Sequence, residues 1–143
     1  VDYKLFVFGG RPRLLKVIHG RYAAEDRHFY CDPQTLEPLD LGLFRIADHP
    51  DVAPPPPEAR ALCKLAARLG APFDAVRVDF YLVDGRLYFG GLTHYTGAAS
   101  LSLGSYEQDL KVGAMWEEGL RQRAAARPSR GRLRRPADLP APG

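Results

Sequence analysis

Cysteine is scarce in this chain. Cys31 and Cys63 are the two present, too few for a disulfide scaffold and outside any CxxC or Cys/His zinc spacing. Two reduced thiols in a cytoplasmic protein is the reading their number supports. Long apolar runs are absent as well, and none approaches the roughly 18–20 residues that a membrane span requires. The start of the chain has no charged-then-apolar leader. It opens on Val1, and Asp2-Tyr3-Lys4-Leu5-Phe6 already reads as a strand, so an upstream segment is expected. The sequence also lacks a Walker A loop, a GxGxxG fingerprint, an HExxH helix and a nucleophile elbow. Those absences set aside P-loop, dinucleotide, zincin and serine-hydrolase chemistry.

A surplus of one charge sign is also missing from most of the chain. The formal +3 suggests a weakly basic domain, but Val1 to Gly119 holds 13 Lys and Arg against 16 Asp and Glu, a net −3. Leu120 to Gly143 holds seven Arg against Asp138 alone, a net +6. The basic character belongs to the last 24 residues, and nucleic acid is not expected as a partner of the folded part. At 45% hydrophobic and 26% charged, the chain has enough apolar residues to fold.

What is present reads as two hairpins and two helices. Tyr3–Phe8 and Arg13–Ile18 are β-rich runs around Gly9-Gly10-Arg11-Pro12. Period-2 alternation puts Asp2, Lys4, Phe6 and Phe8 on one face of the first strand, a lysine among phenylalanines. Residues 20–51 read as irregular connection with one short strand. Pro54-Pro55-Pro56-Pro57 is a stiff spacer into a helix from about Glu58 to Leu69, with Ala61, Leu62, Leu65, Ala66 and Leu69 at helical spacing and Gly70 as its stop. The second hairpin, Val76–Val83 and Arg86–Thr93, flanks Asp84-Gly85. A second helix runs from about Ser105 to Arg123, and an Arg/Pro/Ala-rich tail without periodicity follows. This order favours an α+β fold, a mostly antiparallel sheet with flanking helices on one side.

Chemistry concentrates on the second hairpin. Arg77 and Asp79 share a strand face, either as an ordinary exposed i,i+2 charge pair or as part of a site. The string Arg77-Val78-Asp79-Phe80-Tyr81-x-Val83-Asp84-Gly85-x-Leu87-Tyr88-Phe89-Gly90 resembles the C-terminal metal-binding hairpin of ATP-grasp ligases. The closest resemblance is to the TupA-like branch associated with teichuronopeptide and polysaccharide assembly. The opening Asp2-Tyr3-Lys4, Arg21, Phe29-Tyr30 and Asp109-Leu110-Lys111-Val112-Gly113 match further family segments, so the resemblance runs from Asp2 to about Trp116. It implies that residues 1–119 form the C-terminal lobe of an ATP-grasp domain; residues 120–143 lie outside it, and their Arg/Pro/Ala-rich composition without periodicity reads as a disordered extension. The implied activity is ATP- and Mg²⁺-dependent activation of a carboxylate for attack by an amine. The implied partners are an N-terminal lobe of the same protein, a nucleotide and a carboxylate substrate.

Carried over position by position, Asp79 would hold magnesium with Thr93 as a weak helper. Arg77 would face acyl or phosphoryl oxygens, and Lys4 the phosphates as a point charge. The alternative for Lys4 is an edge-strand lysine that guards against aggregation. One departure stands out: the family's metal-bridging Glu is Gly91 here, within Gly90-Gly91-Leu92-Thr93. His94 follows, and imidazole is a poor magnesium ligand; its other reading is a loop histidine. With a strict two-residue turn, Asp79 and Gly91 fall on opposite faces. The metal-site reading therefore requires a longer loop or a bulge, which would gather Asp79, Phe89, Gly91 and Thr93 on one face. Three readings follow: a ligase fragment with a compromised metal site, a non-catalytic binding or scaffolding descendant, or a nucleic-acid or anionic-surface binder acting through the arginines from Arg121 to Arg135.

Overall fold

A computed structural model of the chain describes residues 1–20, 27–41, 55, 57, 59–99 and 103–126. The elements are β1 (Asp2–Phe8), β2 (Arg11–His19), β3 (Arg27–Cys31), β4 (Pro38–Leu39), α1 (Ala59–Gly70), β5 (Ala75–Val83), β6 (Arg86–Thr93) and α2 (Tyr106–Ala126). The strands form one sheet in the order β4-β3-β2-β1-β5-β6, with every neighbouring pair antiparallel. The fold is α+β. Residues 20–51 supply two strands rather than one, and Arg21, Gly42–Phe44 and Pro54 lie outside the described residues.

Both hairpins turn on two residues with positive φ, Gly9-Gly10 (59° and 81°) and Asp84-Gly85 (49° and 72°). That is the turn whose twist matches antiparallel strands. In the first hairpin Arg11 and Pro12 belong to β2 rather than to the turn, and Arg13 is passed over in the pairing, so Phe6 faces Leu14. The phase of β2 is thereby fixed, and Lys16 lies directly opposite Lys4.

The face covered by α1 is dry. Tyr3, Leu5 and Val7 of β1 pack with Leu15, Val17, Phe29, Cys31, Val76, Val78 and Phe80 against Ala59, Leu62, Cys63 and Ala66 of α1. The helix is rotated from the expected stripe, so that Leu65 and Leu69 are exposed and Cys63 is buried. Small residues allow it to lie close to the sheet: a Cβ on Gly70 would sit 2.6 Å from Val7 Cγ1. Both thiols are buried and unpaired, and burial pushes that of Cys31 up to about 12.

α2 packs on the opposite face, so the two helices sandwich the sheet instead of sharing one side. Its cover is needed there because Phe6, Phe8 and Leu14 make a second apolar group. Trp116 stacks on Phe8 at 6.2 Å, and Val112 and Met115 pack against the cluster of Leu14, Tyr30, Leu41 and Leu103. Close contact depends on Gly119, where an added Cβ would lie 2.6 Å from the Phe8 carbonyl oxygen. Further along, Arg123 donates to the Phe73 and Pro72 carbonyls and pairs with Asp74 at 3.5 Å. Arg121 pairs with Glu118 at 2.8 Å. The boundary expected at 119/120 therefore falls inside α2, and two of the seven arginines assigned to the tail belong to the helix. No helix among the described residues is long and apolar enough to cross a membrane.

Candidate functional site

The strand registers build the site. Lys4 pairs with Lys16 on one side and with Asp79 on the other, Asp79 pairs with Gly91, and Lys16 pairs with Tyr30. These five residues make one row across the sheet on the face opposite α1. The next row places Leu14, Phe6, Arg77 and Thr93 side by side. Lys4, Arg77, Asp79 and Thr93 are thus brought together from three strands.

The bulge that the metal-site reading requires is present, in a different place from a longer loop. The turn is a strict two residues, with Val83 opposite Arg86 and Phe80 opposite Phe89. Gly90 is then the extra residue, and Asp79 faces Gly91 beyond it. A consequence is that Phe89 joins Phe80 on the α1 face (rings 6.2 Å apart), away from Asp79 with which it was expected to share a face, and Tyr88 joins Tyr81 on the other. Gly90 has to be glycine because a Cβ there would meet the Tyr81 ring at 2.3 Å.

Lys4 and Asp79 are each only 6% exposed, on strands in the middle of the sheet. Position alone excludes an edge-guard role for Lys4. Its Nζ donates to Asp79 Oδ2 at 3.1 Å. Arg77 donates to the same carboxylate through Nε to Oδ1 (2.7 Å) and Nη2 to Oδ2 (2.9 Å), and Nη2 also donates to Thr93 Oγ1 (3.2 Å). The Arg77–Asp79 pair is therefore a buried two-pronged clamp rather than an exposed i,i+2 pair. Two cations share one carboxylate.

Sequence reasoning missed Lys16 and Tyr30. Lys16 lies 5.5 Å from the centre of the Tyr30 ring. Burial pushes the Tyr30 phenol up to about 12, with Arg77 opposing and Asp109 reinforcing, so it stays a protonated donor. The signal for Lys16 was its place in β2, readable only once the passed-over Arg13 set the phase. His94 lies beyond β6 with its ring edge-on to Phe73 at 4.8 Å, away from Asp79's row.

The sequence model of the TupA-like ATPgrasp family matches residues 1–117, which span β1 through most of α2. The chain belongs to this family. No curated protein and no solved structure matches it. As an ATP-grasp chain it places its Arg-x-Asp strand in the sheet interior, with both charged side chains on one face.

ATP-grasp chemistry in general implies magnesium held on carboxylates and nucleotide phosphates. The residues here do not fit that ion. Asp79 has both oxygens engaged by Arg77 and Lys4, and Gly91 offers no side-chain oxygen across from it. Among the described residues no group of three or more His, Cys, Asp and Glu could hold a metal. Lys4 and Arg77 remain suited to an oxyanion, as a point charge and a planar donor.

Proposed function

We propose that the chain is the C-terminal lobe of an ATP-grasp carboxylate–amine ligase-like protein of polysaccharide or cell-surface biosynthesis, and that it does not turn over as it stands. The observation that carries this reading is the glycine opposite Asp79, at the position where the family's pattern supplies a second carboxylate. In this reading Arg77 and Lys4 face phosphoryl or acyl oxygens, while Asp79, with Thr93 beside it, keeps those two cations in place instead of holding magnesium. Neutralising a triphosphate then rests on side chains alone, which is less than the reaction demands. The N-terminal lobe of the same protein would close over the Lys4 face. A cytoplasmic location agrees with the two unpaired thiols.

Calorimetry with Mg·ATP tests the reading on this chain and on Gly91→Glu, each in the protein carrying both lobes. The open space at position 91 admits a side chain, because nothing lies within 4 Å of an added Cβ, although the φ of +156° has to relax. The unaltered protein is expected to show no Mg²⁺-dependent gain in nucleotide affinity, and the variant a gain of about tenfold or more. Mg²⁺-dependent ligation by the unaltered protein would overturn the loss of turnover. Absence of any gain in Gly91→Glu would overturn the site assignment.

A further inference from the structure

α1 covers part of the sheet face on which it lies. The buried cluster beneath it draws on β1, β2, β3 and β5 and takes no residue from β6. Leu87, Phe89 and Leu92 of β6 belong to this same face and are 44%, 56% and 38% exposed. Between them and α1 runs an apolar groove of about 480 Å³. Leu82 lies in its floor, Ala61, Leu62 and Leu65 line the helix side, and Leu87 lines the strand side. We propose that this groove docks an amphipathic helix of a partner protein, one that carries acidic residues beside its apolar face. It lies on the face opposite Lys4 and Arg77, apart from the residues of the nucleotide reading.

Shape selects a helix. Strands lie about 4.8 Å apart and a helix with its side chains is about 10 Å across, so the width left over β5 and β6 takes one helix beside α1. An added strand is disfavoured, because the bulge at Gly90 interrupts the outer edge of β6. A concave groove also suits a helix better than a flat lipid surface.

Charge selects the flanks of that helix. α1 has three cations, Arg60, Lys64 and Arg68, and no acid between Ala59 and Gly70. Arg60 turns away to the Thr35 carbonyl. Arg68 follows Ala61 and Leu65 on one helical stripe, which sets it on the lip of the groove, and Lys64 stands one turn before it. Both are exposed, and neither has a hydrogen bond or ion pair among the described residues. On the hairpin, Arg86 lies with Val83 on the opposite face, and Asp84 stands in the turn at the tip. Glu58, just before α1, lies outside the described residues. The helix-side lip is therefore cationic, which favours an acidic occupant and disfavours α1 of a second copy.

Fluorescence anisotropy with the full chain tests this. The probe is a dye-labelled peptide of about 18 residues, long enough to be helical, with leucines at i, i+3, i+4 and i+7 spacing and glutamates beside them. Saturable binding is expected, at least about tenfold tighter than for the same peptide with lysine in place of glutamate. A scrambled peptide of equal charge should bind as weakly as the lysine form, which separates the groove from simple attraction to the arginines beyond Ala126. Lys64→Glu combined with Arg68→Glu should remove the acidic peptide's advantage over its scrambled form. Leu65→Gln and Leu87→Gln should each weaken binding about tenfold. These two side chains are 42% and 44% exposed, so the fold survives their replacement. Absence of binding, or equal binding of the three peptides, would overturn the proposal. Self-association of the chain that Leu87→Gln abolishes would give the groove to a second copy instead. Binding to phosphatidylserine vesicles in place of peptide would give it to a membrane, and loss of peptide binding on attachment of an N-terminal lobe would give it to that lobe. Each of these three outcomes overturns the proposal as well.

Discussion

On the α1 side of the sheet, β1 presents Tyr3, Leu5 and Val7 to a buried cluster that contains no charged side chain. On the α2 side the same strand presents Asp2, Lys4, Phe6 and Phe8, and two of these four are charged and less than a tenth exposed. One strand thus supplies both a core and a site through its two-residue period. The α1 face depends on filled volume, the α2 face on a count of charges. The first is filled beneath α1 and opens into an apolar groove between α1 and the second hairpin; the second keeps an open guanidinium edge and a cavity with polar groups under α2.

That contrast can be broken most severely from the dry side. Phe29 is 1% exposed in the α1 cluster, and Phe29→Ala is expected to cost about 3–5 kcal/mol, read by denaturant unfolding. A loss well below that range would mean that the cluster collapses around the gap. On the charged side, Asp79→Ala leaves Lys4 and Arg77 facing each other without a counter-charge, at a cost of about 3 kcal/mol. Lys4→Met leaves Asp79 still clamped by Arg77 and should cost only about 1 kcal/mol. Equal losses in the two variants would show that the row is held by something other than its charge balance.

The smallest effect near neutral pH comes from the thiols. The pKa of Cys31 is raised by burial from 9.0 to about 12, so the unfolded chain loses its proton first as pH rises. This contribution to stability is complete below about pH 9, where the unfolded thiol is still protonated, and is lost progressively up to about pH 12. Melting temperature should therefore fall across that window, less steeply in Cys31→Ala. Native Cys31 should resist a thiol reagent at neutral pH and react once the chain unfolds. Rapid labelling of the native protein would place the residue outside the dry cluster.

Much of this architecture was legible in the order of residues. Asp84-Gly85 has the residue types that a two-residue turn demands, and Lys4 among Phe6 and Phe8 marked a face that could not be plain core. Two-residue alternation put Arg77 and Asp79 on one strand face, where they pair. What could not be read came from tertiary contact. Gly90 and Gly91 are adjacent, and either could have been the bulge; the Tyr81 ring over Gly90 decides it. α1 turns Cys63 inward and Leu65 outward and passes Val7 closely at Gly70, contacts that appear only once the helix is docked on the sheet. The placement of α2 on the second face rests on backbone meeting backbone at Gly9 and Gly119, which no hydropathy pattern records. β4 is two residues long and owes its pairing to the Asp32 turn, whose carboxylate accepts the Gln34 and Thr35 N–H groups.

The bulge makes Gly90 a spare residue in the length of the second hairpin. Without it, Gly91 would follow Phe89 directly and β6 would become a regular ladder with the same partners: Phe89 opposite Phe80, Gly91 opposite Asp79 and Thr93 opposite Arg77. Both faces of β6 would keep their contents. The hairpin therefore absorbs the loss of one residue at this point, and an alignment gap there leaves the charged row as it is.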